Sequence, residues 1–235
     1  MKKRNHLLLF TLGPVQSFIA QARKTQDLYA GSRILSRLVQ AAGKAFIKEF
    51  PNGNIIFPAS LSQITKLVSL PNRFVAKLQG HEDTDVELIK KAKSIKAVVD
   101  KELIAIANES FVGAKGKGAI NDDLPEAFHE QLKSHLDIFW AFELIEEKEE
   151  EPFASAYHRL EQKVGAIKNV RPFEQYQYAE IDQDFMYAAN YGERGRKCSV
   201  DGVNNALFFR QITDKEEKRE YFDLASYALP LETFY

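Results

Sequence analysis

The feature that most constrains the fold is a short, nearly continuous apolar run, His6 to Leu12, that ends at Gly13-Pro14. A run of this kind is typical of a central strand that is buried on both faces. Pro14 suits the first turn of a helix, and apolar residues then recur at helical spacing. The sequence therefore predicts a buried first strand that is followed directly by a helix.

Periodicity along the rest of the chain predicts a defined order of elements. After a break near residues 29–32, Ser32 is a candidate cap for the next helical piece. The predicted elements are a strand at 6–12, helical segments at 14–22 and 34–50, strands at 54–57 and 72–78, a long helix at 83–106, a short helix at 125–133 and a strand at 136–145. This βαββαβ order predicts an α+β, ferredoxin-like fold of the palm or cyclase kind, with long helical insertions.

An acidic run, residues 146–151, is broken only by Lys148 and is followed by Pro152. Its composition is typical of a solvated linker, and it predicts a division of the chain into residues 1–150 and 151–235. The second part begins with an amphipathic helix at 154–167 and continues into an aromatic, irregular extension.

The composition limits the classes of function. The 45% hydrophobic residues suffice for a core, and the net charge of -1 means that any contact with nucleic acid is local. A single cysteine, Cys198, excludes an internal disulfide and favours a reducing compartment. The basic residues 2–4 before the apolar run imitate a secretory signal peptide, but Gly13-Pro14 interrupts the run, and no apolar stretch approaches the roughly 20 residues that cross a bilayer.

The places where a palm domain holds its catalytic metal ions lack acids here. Such carboxylates usually lie at the end of the first strand and in the hairpin between the second and third. The first strand ends with Thr11 and Leu12, and residues 58–71 contain no Asp or Glu. We therefore predict no catalytic residue and no metal ligand in this domain.

Three local features remain candidates for binding. The turn at Gly13, with Gln16 and Ser17 after it, leads into a helix whose free N–H groups can face an anion, although ordinary strand-to-helix turns look alike. The segment 113–118 lacks the lysine and hydroxyl residue of a P-loop, so it predicts a surface loop in which Lys115 and Lys117 contact an RNA backbone. The adjacent pair at 122–123 is either a metal site or a loop and helix cap.

Three segments carry a resemblance to a known family. They are GPVQSFIAQARKTQDLYAGSRILS at 13–36, SLPNRFVA at 69–76 and IKNVRPF at 167–173. Together they resemble the N-terminal part of the large subunit of type III-B CRISPR effector complexes, the Cas-ten family in its Cmr branch. The segments occur in the family's order and span nearly the whole chain.

The resemblance implies a first palm-like domain that packs on a catalytic palm, helps to form its ATP pocket and contacts neighbouring subunits. Its implied nucleotide neighbours are Gly13, Gln16, Ser17 and Asn72. Through the complex, the partners would be the other subunits, guide RNA, target RNA and ATP, with no membrane and a cytoplasmic location. No cofactor is implied for this chain alone, whereas the parent subunit would use ATP and a divalent metal to make cyclic oligoadenylate or a related messenger.

Departures from the family pattern limit what carries over. The chain has no Gly-Gly-Asp-Asp motif, and Cys198 is the only thiol where the family has paired Cys-x-x-Cys motifs, so this degenerate region cannot hold a four-ligand structural zinc. We expect the segment to continue into a missing C-terminal part. Two alternatives stay open: a stand-alone palm nucleotidyltransferase that uses Asp122 and Asp123, and a ferredoxin-like RNA-binding module that uses Lys115, Lys117 and the aromatic stretch.

Overall fold

The computed structural model describes residues 3–20, 22, 25–59, 69–116, 132, 136–170, 208–211 and 219–222. The elements are β1 (Arg4–Gly13), α1 (Val15–Ala20), α2 (Thr25–Glu49), β2 (Gly53–Phe57), β3 (Arg73–His81), α3 (Asp85–Gly116), β4 (Asp137–Leu144), α4 (Pro152–Asn169), β5 (Phe208–Gln211) and β6 (Arg219–Phe222). In these parts of the chain, no helix is both long enough and apolar enough to cross a membrane.

Four strands form one antiparallel sheet in the order β2-β3-β1-β4. Strand β1 lies inside the sheet, where Leu8 is opposite Ala76 of β3 on one side and Phe142 of β4 on the other. A βαββαβ chain produces this order when each of its two crossovers passes over one intervening strand. The predicted α+β, ferredoxin-like fold is confirmed.

Helix α2 covers one face of the sheet. The centre of its Phe46 ring lies 5.6 Å from the centre of the Phe74 ring on β3. The Phe74 ring in turn stacks on the Phe10 ring of β1, with 5.4 Å between the two ring centres. Helix α3 contacts α2, since the Arg37 guanidinium on α2 pairs with Glu102 on α3 at 2.5 Å.

Helix α4 covers the opposite face of the sheet. Its buried residues Ala156, Leu160 and Val164 pack in one apolar cluster with Leu7, Leu9, Val75 and Ala141. Successive side chains of a strand point to opposite faces, so β1 is buried by α2 on one side and by α4 on the other. The prediction of a first strand buried on both faces is therefore confirmed.

The described elements fall into two compact units. The first contains β1 to β4, α4 and most of α2 and α3, so α4 belongs with the sheet. The second contains the two-stranded antiparallel sheet of β5 and β6, in which Phe208 lies opposite Phe222. The division of the chain at residue 150 stays a prediction, while the compact unit around the sheet continues to Val170.

Two local predictions are wrong. The predicted break near residues 29–32 is absent, because α2 is continuous through Gly31 and Ser32, so Ser32 is an interior helical residue rather than a cap. The backbone oxygen of Ser32 accepts a hydrogen bond from the hydroxyl of Ser36 at 2.8 Å. The loop predicted to begin at Gly113 does not begin there, since α3 continues to Gly116. Glycine and serine lower helix propensity by about 1 kcal/mol or less, which the packing of a long helix overcomes.

Candidate nucleotide-facing corner at the end of strand β1

The end of β1 is held by Asn72, which directly precedes β3. The side-chain amide of Asn72 donates a hydrogen bond to the backbone oxygen of Leu12 at 2.7 Å. In return, the backbone N–H of Leu12 donates to the backbone oxygen of Asn72 at 2.9 Å. Asn72 therefore positions the last residues of β1 through both its side chain and its backbone.

The other three predicted nucleotide neighbours lie where β1 ends and α1 begins. Gly13 is the last residue of β1, is buried, and lies opposite Asp137 of β4. Gln16 lies on α1 with its side chain exposed, and the side chain of Ser17 is outside the described residues. The structure thus brings Gly13 and Asn72 to one corner through Leu12.

Thr11 occupies the position where a catalytic palm would carry a carboxylate. It is fully buried and alternates with Leu7 and Leu9, so its side chain faces α4. The ammonium group of Lys168, at the end of α4, donates to the Thr11 hydroxyl at 3.5 Å and lies 5.8 Å from the centre of the Phe139 ring. A lysine beside this position repels a divalent cation, so the corner is not suited to a metal ion.

The corner contains a second cation. One guanidinium nitrogen of Arg73 donates to both carboxylate oxygens of Glu161, at 2.9 and 3.2 Å. The Tyr157 hydroxyl donates to the same carboxylate at 2.7 Å, and this hydrogen bond raises the pKa of Tyr157. Burial lowers the pKa of Lys168, and the positive charge of Arg73 lowers it further. Two cations thus share one nearby carboxylate, Glu161.

Lys168 and Glu161 were missed by reasoning from the sequence. Both lie on α4, about 150 residues after Thr11 in the chain, and the acidic run before α4 suggested a separate part of the protein. The available signal was the third family segment, 167–173, which contains Lys168. Its closeness to Thr11 depends on α4 folding back onto the sheet.

The remaining predicted sites fall mostly outside the described residues. The backbone of Lys115 lies in α3, and its side chain is not described. Lys117, Asp122, Asp123 and Cys198 all lie outside the described parts of the chain. In the parts that are described, no group of three or more His, Cys, Asp or Glu side chains is arranged to hold a metal ion.

The fold and this corner define a palm-like, ferredoxin-type domain that carries no carboxylate at the end of its first strand. The family described as "CRISPR-associated protein Cmr2, N-terminal" matches residues 7–136, which is more than half of the chain. The chain belongs to this family.

Relatives agree with this assignment. The "CRISPR system Cmr subunit Cmr2" of Pyrococcus furiosus is 24% identical over 160 residues, which cover 61% of this chain and 18% of that protein. A cryo-EM structure of Type III-B Cmr-beta bound to cognate target RNA matches with a TM-score of 0.54 and 16% identity, over 96% of this chain and 29% of the other. The apo state of Type III-B Cmr-beta matches with a TM-score of 0.52 and 16% identity, over 90% and 28%. The structural likeness supports the fold, and the chain spans less than a third of each of these relatives.

Proposed function

We propose that the chain is a structural half-site domain of the large subunit of a type III-B CRISPR RNA-guided antiviral effector complex. It packs on a catalytic palm and closes one side of the ATP pocket of that palm. The observation that carries this proposal concerns the end of β1. Thr11 lies there at the position where a catalytic palm would have a metal-binding carboxylate, and the ammonium group of Lys168 contacts its hydroxyl. We assign the chain to this kind of complex because it belongs to the Cmr2 N-terminal family.

The chemistry of the corner suits a phosphate better than a metal. Lys168 and Arg73 present cations, and phosphate oxygens accept hydrogen bonds from such groups. In this proposal, the divalent metal and its carboxylate ligands belong to the neighbouring palm, and this domain orients ATP through Lys168 and the turn at Gly13. The other subunits, the guide RNA and the target RNA are partners through the complex, which acts in the cytoplasm.

The proposal is tested by incubating the purified chain with ATP and Mg²⁺, alone and with a palm that contains the Gly-Gly-Asp-Asp motif. We expect no oligoadenylate from the chain alone and synthesis when both domains are present. Lys168→Ala should raise the KM for ATP about 10-fold through the loss of one charge-assisted contact. Lys93→Ala, at an exposed position on α3, is the matched control. Robust synthesis by the chain alone would refute the proposal.

Simple measurements distinguish two alternative functions from the proposed one. A stand-alone nucleotidyltransferase that uses Asp122 and Asp123 predicts that replacing both with alanine abolishes a metal-dependent activity. An RNA-binding module predicts that the free domain binds RNA in a salt-sensitive manner and that Lys115→Ala with Lys117→Ala weakens this binding.

A further inference from the structure

A groove lies between α2 and α3, away from the corner at the end of β1, and has a volume of about 590 Å³. Contacts between the two helices cross it at two places. The Arg37 guanidinium pairs with Glu102 at 2.5 Å, and the Ser94 hydroxyl donates to Glu49 at 2.7 Å. Between these contacts, Ala41, Ala45 and the half-exposed Val98 form an apolar floor.

The rim of the groove has a net positive charge. Lys44 and Lys48 lie one helical turn apart, both line the groove, and both are exposed. Within the described parts of the chain, neither lysine forms an ion pair, whereas Glu102 is neutralised by Arg37. Among the described residues of the lining, Glu49 is the remaining carboxylate, so the two lysines outnumber the acids that are not already paired.

The dimensions fit a short helix. Between the two contacts that cross the groove, the lining part of α2 runs from Ala41 to Lys48, which at 1.5 Å per residue is roughly 10 Å, or about two turns. The small side chains of Ala41 and Ala45 allow the backbone of a second helix to approach closely. Recognition of an amphipathic helix by a groove of this kind depends on apolar anchors on the floor and charges on the rim.

We propose that this groove binds an acidic amphipathic segment of a neighbouring protein subunit. An apolar side chain of that segment packs on Val98, and its carboxylates pair with Lys44 and Lys48. The inference rests on the proposed function, because it takes the partner from the same effector complex.

The lining favours a protein over RNA. Single-stranded RNA is usually bound by basic residues together with aromatic rings on which bases stack, and the described residues that line this groove include no aromatic side chain. The floor of Ala41, Ala45 and Val98 offers a phosphate no hydrogen-bond donor from its side chains.

The first test uses the assembled effector complex with a photo-crosslinking amino acid in place of Val98. We expect a cross-link to a protein subunit, at a peptide that has Asp or Glu residues around an apolar residue. A cross-link to RNA, or no cross-link, overturns the inference. If the chain does not assemble with the complex at all, the proposed function fails; if it assembles and position 98 captures no protein, only the docking site fails.

The second test reverses the charge of the rim. Lys44→Glu with Lys48→Glu should weaken retention of the cross-linked subunit at least about 10-fold, while Lys44→Arg with Lys48→Arg retains it. The matched control is Lys90→Glu with Lys93→Glu, which makes the same change in charge at exposed positions outside the lining. Circular dichroism checks that each variant is folded. Equal retention by the groove variant and the control contradicts the inference.

Discussion

Gly53 begins β2 at a point where a helix and a neighbouring strand leave no room for a side chain. A Cβ atom there would lie 2.6 Å from Cζ of Phe46 on α2 and 3.1 Å from Cδ2 of Leu78 on β3. Gly165 on α4 is the opposite case, because no atom that would obstruct a Cβ lies within 4 Å. The two glycines therefore give a matched pair of substitutions.

We expect Gly53→Ala to destabilise the fold by about 1–3 kcal/mol, because the buried Phe46 ring must move. Gly165→Ala should stabilise the fold by about 0.4–1 kcal/mol, because alanine restricts the unfolded chain and favours the helix. Urea unfolding followed by circular dichroism measures both changes. A Gly53→Ala protein as stable as the parent would contradict the close contact with Phe46.

A histidine pair, of which His6 is buried and His81 partly buried, lies near the start of β1. Nδ1 of His6 and Nε2 of His81 are 2.7 Å apart in a hydrogen bond. Burial, followed by the proximity of His81, lowers the pKa of His6 from 6.5 to about 4. Asp85 and Glu143 act on this pKa in the opposite direction, whereas Arg4 lowers it further.

This pair predicts a loss of stability in mild acid. His6 becomes protonated near pH 6.5 in the unfolded chain and only near pH 4 in the folded chain. Its contribution to the free energy of unfolding is therefore complete above pH 6.5 and is lost as the pH falls towards 4. We expect the free energy of unfolding to fall by up to roughly 3 kcal/mol over this range. Unfolding in urea at several pH values measures it, and His6→Leu should flatten the dependence. An unchanged pH dependence in the His6→Leu protein would contradict the role of His6.

At the scale of the elements, α4 is attached to the sheet by ionic contacts as well as by apolar packing. Glu143 of β4 lies on the face that α4 covers, is 7% exposed, and accepts a hydrogen bond from Arg159 at 2.6 Å. Lys163 pairs with its second carboxylate oxygen, and Arg159 also contacts Glu149 at 2.6 Å. Burial raises the pKa of Glu143, but the hydrogen bonds and charges of Lys163 and Arg159 outweigh that effect and lower it overall.

Glu143→Gln should destabilise the protein by about 1–3 kcal/mol, because it removes a buried charge that is paired with two cations. Since the pKa of Glu143 is lowered by folding, its contribution is present above the usual value of 4.5 and is lost as the pH falls below it. Thermal unfolding at pH 7 and at pH 3.5 measures both effects. Glu150→Gln, an exposed residue of the acidic run, is the control, and an equal effect of the two substitutions would argue against the role of Glu143.

For the whole molecule, the position of α4 decides where a stable domain ends. A chain of residues 1–150 lacks α4, so the apolar face formed by Leu7, Leu9, Val75 and Ala141 would be exposed to water. A patch of this kind promotes association or loss of structure.

We therefore expect a protein of residues 1–150 to aggregate or to bind a hydrophobic dye, while residues 1–170 remain monomeric and unfold cooperatively. Analytical ultracentrifugation and dye fluorescence measure the difference. A monomeric, cooperatively unfolding 1–150 protein would support the division at residue 150 that the acidic run predicts.

The sequence by itself determined the order of the elements from β1 to α4, the burial of β1 and the resemblance to the Cmr branch of the Cas-ten family, whereas it gave no sign of β5 and β6. The apolar run at 6–12 reports directly that both of its faces are covered, because alternate side chains point to opposite sides. The sequence also shows that position 11 is a threonine rather than a carboxylate residue and that residues 58–71 contain no Asp or Glu.

Only the tertiary structure decided what covers each face and which distant residues meet. Periodicity shows that a face of α4 is apolar, but it cannot show that this face packs on Leu7 and Leu9 or that Lys168 ends beside Thr11. The continuity of α2 through Gly31 and Ser32 also depends on tertiary packing. A local preference of about 1 kcal/mol or less is smaller than the stabilisation from burying a helix face, and that burial depends on partners far away in the chain.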